Sequence, residues 1–460
     1  MTSFFGLNSA PADVVADNVT HTRSFRIRHA RLTLCAGIAI LLAACSTGPS
    51  VKVDSTPGIP DAGVASADGP LVVPPLSALP DTTARTLAGK FVPAGYNDLP
   101  GWASDDLRNV WTTFIRNCRG LMRPTSGNLA ASARATPRAW QPVCAAAADP
   151  ARAPNPKDPE SVRRFIQTWL SVWRLQGADG KSASNTVTGY YEPLVMGSRK
   201  KGGPHQWPLY TVPADLLTID LGKMYPELAG KRVRGKLEGN RVVPYDSRAA
   251  LESSGRQPPA VVFVNDPVDN FFLQVQGSGR VQLVDGPDSG QTIRVAYADH
   301  NGHPYVSIGK WLADKNELPL AQTSMQNIRE WAKRNPKRVQ EMLNANPALV
   351  FFKEELIVDP EIGPKGAFGV PLMAQRSIAV DTTFVPLGAP VFLATTQPAS
   401  TQPLNRLVFA QDTGTAIKGP ARADFYWGFG EAAGNMAGRM KQVGQMWVLW
   451  PKQAGAPSAR

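Results

Sequence analysis

Three aspartates in the C-terminal part of the 460-residue sequence occupy settings in which a carboxyl group can do chemistry. Asp381 follows the short apolar run Ser377–Val380, and Asp412 follows the run Leu407–Gln411. Runs of this kind are typical of buried strands, so both carboxylates are expected at the rim of a sheet or barrel. Taken singly, an aspartate at a strand end is more often a turn former or a helix cap than a catalytic group.

Asp424 has a different setting, because it lies between a glycine-rich turn and the aromatic triplet Phe425–Trp427. Aromatic rings exclude water and favour the protonated form of a carboxyl, which raises its pKa toward that of a general acid. Asp381 and Asp412 instead precede threonines, whose hydroxyls can hydrogen-bond a carboxylate and lower its pKa. We therefore predict that Asp424 is the acid and that the other two aspartates support it.

The three motifs together are more specific than any single aspartate. They read strand-Asp-Thr-Thr-x-x-Pro-Leu-Gly at Asp381, strand-Gln-Asp-Thr-Gly-x-Ala-Ile-Lys-Gly at Asp412, and Arg-Ala-Asp-Phe-Tyr-Trp-Gly at Asp424. This arrangement resembles the three-aspartate domain of the MltA family of membrane-bound lytic transglycosylases. The resemblance extends upstream through the Gly-Tyr-Tyr-Glu-Pro motif at 189–193 and the segment 269–280, and it covers most of the mature chain.

The resemblance implies cleavage of the β-1,4 bond between N-acetylmuramic acid and N-acetylglucosamine in peptidoglycan, without water. The C6 hydroxyl of the sugar itself attacks C1, and a 1,6-anhydro end results. An ordinary glycosidase needs a second carboxylate, whereas an intramolecular hydroxyl is already held at high effective concentration. Asp424 would act as acid and then as base, with Asp412 and Asp381 in support, and no metal or cofactor is implied.

The residues Thr188, Tyr190, Tyr191 and Glu192 match the part of the family signature that opens the substrate groove. Tyrosine rings stack on the apolar faces of sugars while their hydroxyls form hydrogen bonds. Without the family, the segment Val187–Pro193 is equally well interpreted as a loop at the edge of the core.

The segment Asp269–Arg280 contains two glutamines and a serine that suit recognition of hydroxyl and acetamido groups. The pattern at Phe271–Val275 predicts a strand. In a strand Gln274, Gln276 and Ser278 face the same side and line one wall of the groove. A purely structural amide ladder is the alternative.

The first 45 residues read as a secretory signal. Four arginines between Arg23 and Arg31 precede the apolar stretch Leu32–Leu42, which is too short to span a bilayer. The ending Leu42-Ala43-Ala44-Cys45 resembles a bacterial lipobox, which implies cleavage before Cys45 and its acylation; a plain secretory signal is the alternative. Ser46 favours the periplasmic face of the outer membrane of a Gram-negative bacterium.

The formal net charge of +12 favours an anionic partner. A secreted lipoprotein does not meet nucleic acid, so the expected partners are peptidoglycan glycan strands and, through the lipid anchor, a membrane. Other cell-wall enzymes remain open as partners.

Four cysteines are present, and Cys118 and Cys144 remain once Cys35 leaves with the signal and Cys45 carries lipid. Two cysteines in an oxidising envelope can pair. The tight pair His300 and His303 has no cysteine nearby and favours a polar turn over a metal site. The sequence contains no nucleotide-binding loop or zinc motif, so we expect no cofactor.

Between Gly101 and Ala178, apolar residues at spacings of three and four predict helices at Asp106–Arg116 and Ser161–Leu175, the second capped by Ser161. From 194 to 310, short β-branched runs separated by Gly and Pro suggest a small barrel.

We therefore expect a mainly β protein with helices. The resemblance implies a double-psi β-barrel main domain, a second small β-barrel inserted into it, and a groove between the two. The boundaries follow as signal 1–45, tether 46–84, main domain 85–193 and 311–452, inserted domain 194–310, and tail 453–460.

Two other functions remain open on sequence grounds. One is a hydrolase that uses Asp412 and Asp424 as a pair. The other is a wall-binding lipoprotein without catalytic activity.

Overall fold

The structure is a computed structural model, and it describes residues 69–79, 87–107, 109–123, 134–177, 180, 183–222, 224–225, 228, 232–414 and 416–458. All of them belong to one unit of the chain, Val64–Arg460. The predicted signal with Cys45, and residues 46–68 of the predicted tether, lie outside the described residues. Within these ranges no helix is both long and apolar enough to cross a membrane.

The described residues form seventeen strands and nine α-helices. The strands are β1 Lys90–Ala94, β2 Leu170–Gln176, β3 Ser184–Glu192, β4 Leu194–Ser198, β5 Trp207–Tyr210, β6 Leu217–Asp220, β7 Arg232–Glu238, β8 Arg241–Pro244, β9 Ala260–Val264, β10 Ser278–Leu283, β11 Thr292–His300, β12 Val350–Glu355, β13 Ser377–Val380, β14 Pro390–Thr396, β15 Pro403–Asp412, β16 Ala423–Phe429 and β17 Lys441–Pro451. The helices are α1 Val110–Met122, α2 Pro137–Ala148, α3 Pro159–Trp169, α4 Arg248–Ser253, α5 Pro267–Gln276, α6 Ile308–Asp314, α7 Met325–Arg334, α8 Val339–Asn344 and α9 Gly430–Arg439. The expectation of a mainly β protein with helices is confirmed.

The main sheet has eight strands in the order β1-β2-β17-β14-β15-β13-β16-β3. Strand β17 also pairs with β3, so six of these strands form a closed ring. The ring is mixed, since β13 runs parallel to β15 and antiparallel to β16, and β16 runs parallel to β3. Helices α1 to α3 and the strands share one apolar core, which explains why β13 and β14 read as continuous apolar runs rather than alternating ones.

A second group of elements has its own sheets and cores. Six strands pair in the order β12-β11-β10-β4-β9-β5, and β6, β7 and β8 form a three-stranded sheet. Helices α6, α7 and α8 share an apolar cluster with α5. The predicted boundary at 310 is therefore wrong, because the helices from Ile308 to Asn344 and strand β12 pack and pair with this group. Strand pairing joins residues far apart in sequence, and local composition does not show it.

Two of the predicted helices have different bounds. Helix α3 is capped by Asp158, whose side chain accepts the N–H of Glu160, rather than by Ser161, and it ends at Trp169. Residues 170–176 form β2, which pairs with β1 on one side and β17 on the other. Hydrogen bonding to two neighbouring strands outweighs the helical spacing of the apolar residues there. Helix α1 begins at Val110 instead of at 106.

The segment 267–276 is helix α5, so the strand predicted at 271–275 is wrong. The Asp266 carboxylate accepts the N–H groups of Val268 and Asp269, at 2.8 Å each, and Pro267 is the first helical residue. Gly277, at φ 79°, ends the helix in the left-handed conformation. These cap signals were present in the sequence. In a helix, residues two apart do not face the same side, so the shared face predicted for Gln274 and Gln276 is wrong as well.

The described end of the predicted tether packs against the main domain. Leu79 is buried in the main core. The Arg138 guanidinium donates to the carbonyls of Leu76 and Leu79, at 3.2 Å each, and the Gln141 amide donates to the Pro74 carbonyl. The tether is therefore shorter than the predicted 46–84.

Cys118 of α1 and Cys144 of α2 form a disulfide. Their separation of 26 residues in sequence leads us to expect that the double variant Cys118→Ala/Cys144→Ala loses about 3 kcal/mol in free energy of unfolding, through a less restricted unfolded chain. Thermal unfolding measures the loss, and wild-type protein with a reductant is the control. An unchanged melting temperature on reduction would contradict the expectation.

Candidate active site

The candidate site is built on two adjacent parallel strands, β3 and β16. Their register places Thr188 beside Asp424 and Tyr190 beside Tyr426. The Thr188 hydroxyl donates to Asp424 Oδ1 over 2.7 Å. The segment predicted as a loop at 187–193 is thus largely strand, and the strand fixes the partner of the acid.

Asp424 is half-buried, with the protein packed densely around its carboxyl and part of its surface open to solvent. Burial raises the pKa of Asp424 to about 6. The Thr188 hydrogen bond and the positive charge of Arg422 lower this pKa, while the negative charge of Asp412 raises it. A carboxyl with such a pKa can donate a proton and take it back near neutral pH.

Asp412 lies at the end of β15, and its carboxylate is almost fully engaged. Oδ1 accepts the N–H groups of Ala367 and Thr413, at 2.8 and 2.9 Å, and Oδ2 accepts the Tyr190 hydroxyl at 3.1 Å. Burial raises the pKa of Asp412, although these hydrogen bonds lower it. The expectation of a pKa lowered by a threonine hydroxyl is wrong here, because the Thr413 hydroxyl donates to the Val380 carbonyl instead.

Asp381 follows β13 and is buried. Its Oδ1 accepts the backbone N–H of Thr383 at 3.0 Å, and its Oδ2 accepts the N–H of Gly419 at 2.8 Å. Gly419 belongs to the turn that leads into β16. Asp381 therefore holds the backbone a few residues ahead of Asp424, and β13, β15 and β16 bring all three aspartates to neighbouring strands.

The two tyrosines of the Gly-Tyr-Tyr-Glu-Pro motif have different surroundings. Tyr190 is buried, with its ring centroid 5.1 Å from that of Tyr426, so its predicted stacking on a sugar is wrong. Tyr191 is half-buried, and its N–H donates to Gln276 Oε1 at 3.1 Å. Its ring lies against Gly434 of α9, where a Cβ would approach within 2.8 Å.

Glu192 is fully buried, and its predicted contact with substrate is wrong. Its carboxylate accepts hydrogen bonds from Arg280 of β10 at 2.8 Å and from Arg294 of β11 at 2.5 Å. The two guanidinium groups also donate to the carbonyls of Pro360 and Ile362, at 2.6 Å each. We call these three charged side chains the Glu192 cluster; it joins the end of β3 to the six-stranded sheet.

The three polar residues predicted as one wall are separated in the structure. Gln274 is buried, accepts from Arg248 at 2.8 Å and donates to Asn270 at 2.6 Å, so its role is structural. Gln276 stays beside the site through its bond with the Tyr191 N–H. Ser278 is buried at the start of β10.

Arg422 is a site residue that the sequence analysis missed. Its guanidinium donates to the Thr188 hydroxyl at 2.9 Å and to the Thr186 carbonyl at 3.1 Å. The charge therefore lies beside the hydroxyl that binds Asp424 and can stabilise the ionised acid. A basic residue two positions before Asp424, directly ahead of β16, is the signal that could have revealed it.

A recess of about 170 Å³ adjoins the strand that carries the acid; it is lined by Glu361, Gly363, Ala374 and the four residues from Tyr426 to Phe429. A wider depression of about 370 Å³ lies across β14, β15 and β17 and includes Ser184, Asn405 and Gln445. Asp424 lines neither of them. Among the described residues, no group of three or more His, Cys, Asp and Glu is arranged to hold a metal ion.

The raised pKa of Asp424 predicts a dependence of stability on pH. Below about pH 4, Asp424 is protonated in both the folded and the unfolded state. Above about pH 6 its carboxylate is charged in both states, but it is buried in the folded state and solvated in the unfolded state. Wild-type stability is therefore lost as the pH rises between these values. We expect Asp424→Asn to be more stable than wild type by about 3 kcal/mol at pH 7.5 and about equally stable at pH 4.

Denaturant unfolding at the two pH values measures this difference. Asp381→Asn is the matched control, and we expect it to be less stable than wild type because an amide cannot accept both N–H bonds on its two terminal atoms. A difference in stability between Asp424→Asn and wild type that does not depend on pH would contradict the raised pKa of Asp424.

Comparison with known proteins gives concordant matches. A family model described as "MltA specific insert domain" matches residues 186–353, and one described as "3D domain" matches residues 376–450. Membrane-bound lytic murein transglycosylase A of Escherichia coli strain K12 is 32% identical over 295 residues, which are 63% of this chain and 71% of that protein.

Two solved structures are similar over most of the chain. The crystal structure of MltA from Neisseria gonorrhoeae is 32% identical with a TM-score of 0.65, and the match covers 85% of this chain and 100% of that one. The structure of E. coli MltA with bound chitohexaose is 27% identical with a TM-score of 0.55, over 80% of this chain and 96% of that one. These matches confirm the resemblance seen in the three motifs, and the chain belongs to the MltA family of lytic murein transglycosylases.

Proposed function

We propose that this protein cleaves the β-1,4 bond between N-acetylmuramic acid and N-acetylglucosamine in peptidoglycan and leaves 1,6-anhydro ends. The observation that carries the proposal is the half-buried Asp424, whose pKa burial raises to about 6. A group of this kind is protonated in part near neutral pH, and part of its surface is open to solvent. The chitohexaose complex of E. coli MltA supports a glycan as the ligand.

In the proposed reaction, Asp424 donates its proton to the glycosidic oxygen as the bond from C1 to that oxygen breaks. Positive charge develops on the ring as it approaches an oxocarbenium ion. The C6 hydroxyl of the same sugar then forms the new bond to C1, and its proton passes to the Asp424 carboxylate. Thr188 and Arg422 stabilise the carboxylate between the two proton transfers, and the enzyme ends in the state in which it began.

The other two aspartates position the acid. The bonds from Gly419 and Thr383 to Asp381 hold the turn before β16 in place. Asp412 adds negative charge near the acid, which raises the pKa of Asp424 further. That charge also favours a positively charged sugar ring in the transition state.

A hydrolase that uses Asp412 as a second catalytic carboxylate is less well supported. The oxygens of Asp412 already accept three hydrogen bonds, from Ala367, Thr413 and Tyr190. A carboxylate has about four acceptor sites, so Asp412 has little capacity left to activate water or to attack C1. A wall-binding protein without activity is disfavoured by the raised pKa of Asp424, which binding alone does not require.

We further propose that the closed ring of β3, β13, β14, β15, β16 and β17 is a double-psi β-barrel, with the second group of strands inserted as a smaller barrel. The mixed parallel and antiparallel pairing supports the first part. The match of residues 186–353 to the insert domain supports the second. On this proposal the inserted domain extends well beyond 310.

For the location we propose the periplasmic face of the outer membrane, with Cys45 acylated. The lipobox-like ending at Cys45 supports an anchor, and the name of the E. coli relative describes it as membrane-bound. Peptidoglycan is the partner, and contacts with other cell-wall enzymes are an open part of this proposal.

We expect Asp424→Asn to abolish turnover and to retain glycan binding, because an amide keeps the shape of the acid but cannot transfer its proton. The rate of wild-type turnover should fall as the pH rises above about 6, since the acid must start protonated. Mass spectrometry of products released from purified sacculi measures both turnover and the anhydro ends.

Asp412→Asn is the control, and it should retain part of the activity. Products with ordinary reducing ends would favour the hydrolase. If Asp424→Asn is active while Asp412→Asn is folded but inactive, the assignment of Asp424 as the acid is wrong.

Lipidation is tested by metabolic labelling with a fatty acid. We expect label in the wild-type protein and none in Cys45→Ala, since the acyl group is attached to that sulfur. Cys35→Ala, a change within the part removed with the signal, should label as wild type does. Equal labelling of wild type and Cys45→Ala would rule out the anchor.

A further inference from the structure

Strand pairing places a lysine two strands away from the candidate acid. Asp424 of β16 lies beside Thr188 of β3, and Thr188 in turn lies opposite Lys441, the first residue of β17. Neighbouring strands are about 4.8 Å apart, so the Cα atoms of Lys441 and Asp424 are roughly 10 Å apart.

Lys441 lies on the same outer face of the sheet as Thr188. Directly opposed residues in an antiparallel ladder have their side chains on one face. The next outward position of β17, Val443, is 70% exposed. Gly444 instead faces inward, since an added Cβ there would come within 2.5 Å of Val187 in the main core. The ammonium of Lys441, on its flexible stem, can therefore contact a ligand that lies over Thr188.

Two cations flank Thr188, and neither forms an ion pair with a carboxylate among the described residues. Lys441 is exposed and has no such partner. The Arg422 guanidinium donates to the Thr188 hydroxyl and to two backbone carbonyls, those of Thr186 and Ala423. A bound anion would therefore meet a positively charged site, and Lys441 is the more exposed of its two cations.

We propose that Lys441 binds the carboxylate of the substituent on C3 of N-acetylmuramic acid. The inference rests on the proposed function, in which the C1 bond of this sugar breaks beside Asp424. N-acetylmuramic acid differs from N-acetylglucosamine by a lactyl ether on C3 that ends in a carboxyl group. In bare strands the carboxylate is that of the lactyl group, and in peptide-bearing strands it belongs to the attached peptide. A lysine suits either, because its three donors adapt to the position of the anion.

Such a contact would set the register of the glycan in the site. The two sugars alternate along a strand, so only every second β-1,4 bond starts from C1 of N-acetylmuramic acid. A strand that is shifted by one sugar places a ring without a carboxylate beside Asp424 and Lys441. The acetamido group is common to both sugars and cannot make this distinction. Lys441 is therefore a specificity-determining residue on this proposal, and it takes no part in the proton transfer.

Binding to bare glycan strands tests the proposal, with Asp424→Asn as the parent so that no turnover occurs. One sample of strands keeps its lactyl carboxylates, and in a second sample each is converted to the neutral methylamide. We expect Lys441→Gln to weaken binding of the carboxylate strands about fivefold, the scale of one exposed ion pair. Binding of the methylamide strands should not change. Lys441→Arg should bind as the parent does, and the fivefold difference should shrink at about 1 M salt.

Strands that still carry their peptides distinguish the two sources of the carboxylate. A loss of affinity by Lys441→Gln on the bare strands assigns the lactyl carboxylate as the ligand. A loss confined to the peptide-bearing strands assigns a carboxylate of the peptide instead, and the proposed contact stands in both cases.

The matched control is Lys452→Gln, since Lys452 is an exposed lysine directly after the far end of β17. It should bind every sample as the parent does. Equal affinity of Lys441→Gln and the parent for both bare and peptide-bearing strands would overturn the proposal. So would an equal loss on carboxylate and methylamide strands, an equal loss by both lysine variants, or a parent that binds no glycan.

Turnover of sacculi by the protein with Asp424 intact separates this inference from the proposed function. Carboxylate-dependent binding without release of anhydro products would contradict the function and leave the Lys441 contact standing. Anhydro products released by Lys441→Gln with the KM of wild type, together with equal binding, would overturn the contact alone.

Discussion

The attachment of the six-stranded sheet to the main sheet depends on one interaction, the pairing of the buried Glu192 carboxylate with Arg280 and Arg294. Burying three charges is costly, and only close pairing with full hydrogen bonding offsets the loss of water. The cluster meets this condition, because the two guanidinium groups also donate to the carbonyls of Pro360 and Ile362. The chain passes between the main sheet and the six-stranded sheet twice. Both connecting segments are bonded to the side chains of the Glu192 cluster.

Strand β3 connects the Glu192 cluster to the candidate active site. Thr188, Tyr190 and Glu192 alternate along one face of the strand, as the period of two requires. In that order they bond Asp424, Asp412 and the arginines of the second group. The backbone on both sides of Asp424 is paired, so the acid is positioned by the sheet and not by a loop.

Much of the function could be predicted from the sequence, because it depends on local patterns. The three aspartates, the runs that precede Asp381 and Asp412, and the spacing of the motifs are all visible in a single stretch, and the family they indicated is confirmed. The overall class, mainly β with helices, followed from short apolar runs separated by Gly and Pro. Capping signals at Asp266 and Pro267 were equally local, but β-branched and aromatic residues after them favoured a strand.

Only the tertiary structure decided which polar residues are buried and which side chains pair with them. Glu192 meets Arg280 and Arg294 across 88 and 102 residues of sequence, and Tyr190 meets Asp412 across 222. Glutamate and tyrosine in a polar motif suit a sugar groove or an internal hydrogen bond equally well, and nothing local distinguishes the two. Burial is a property of the packed elements, so the sequence by itself indicated the family and a candidate acid, while the fold determined the partners of that side chain.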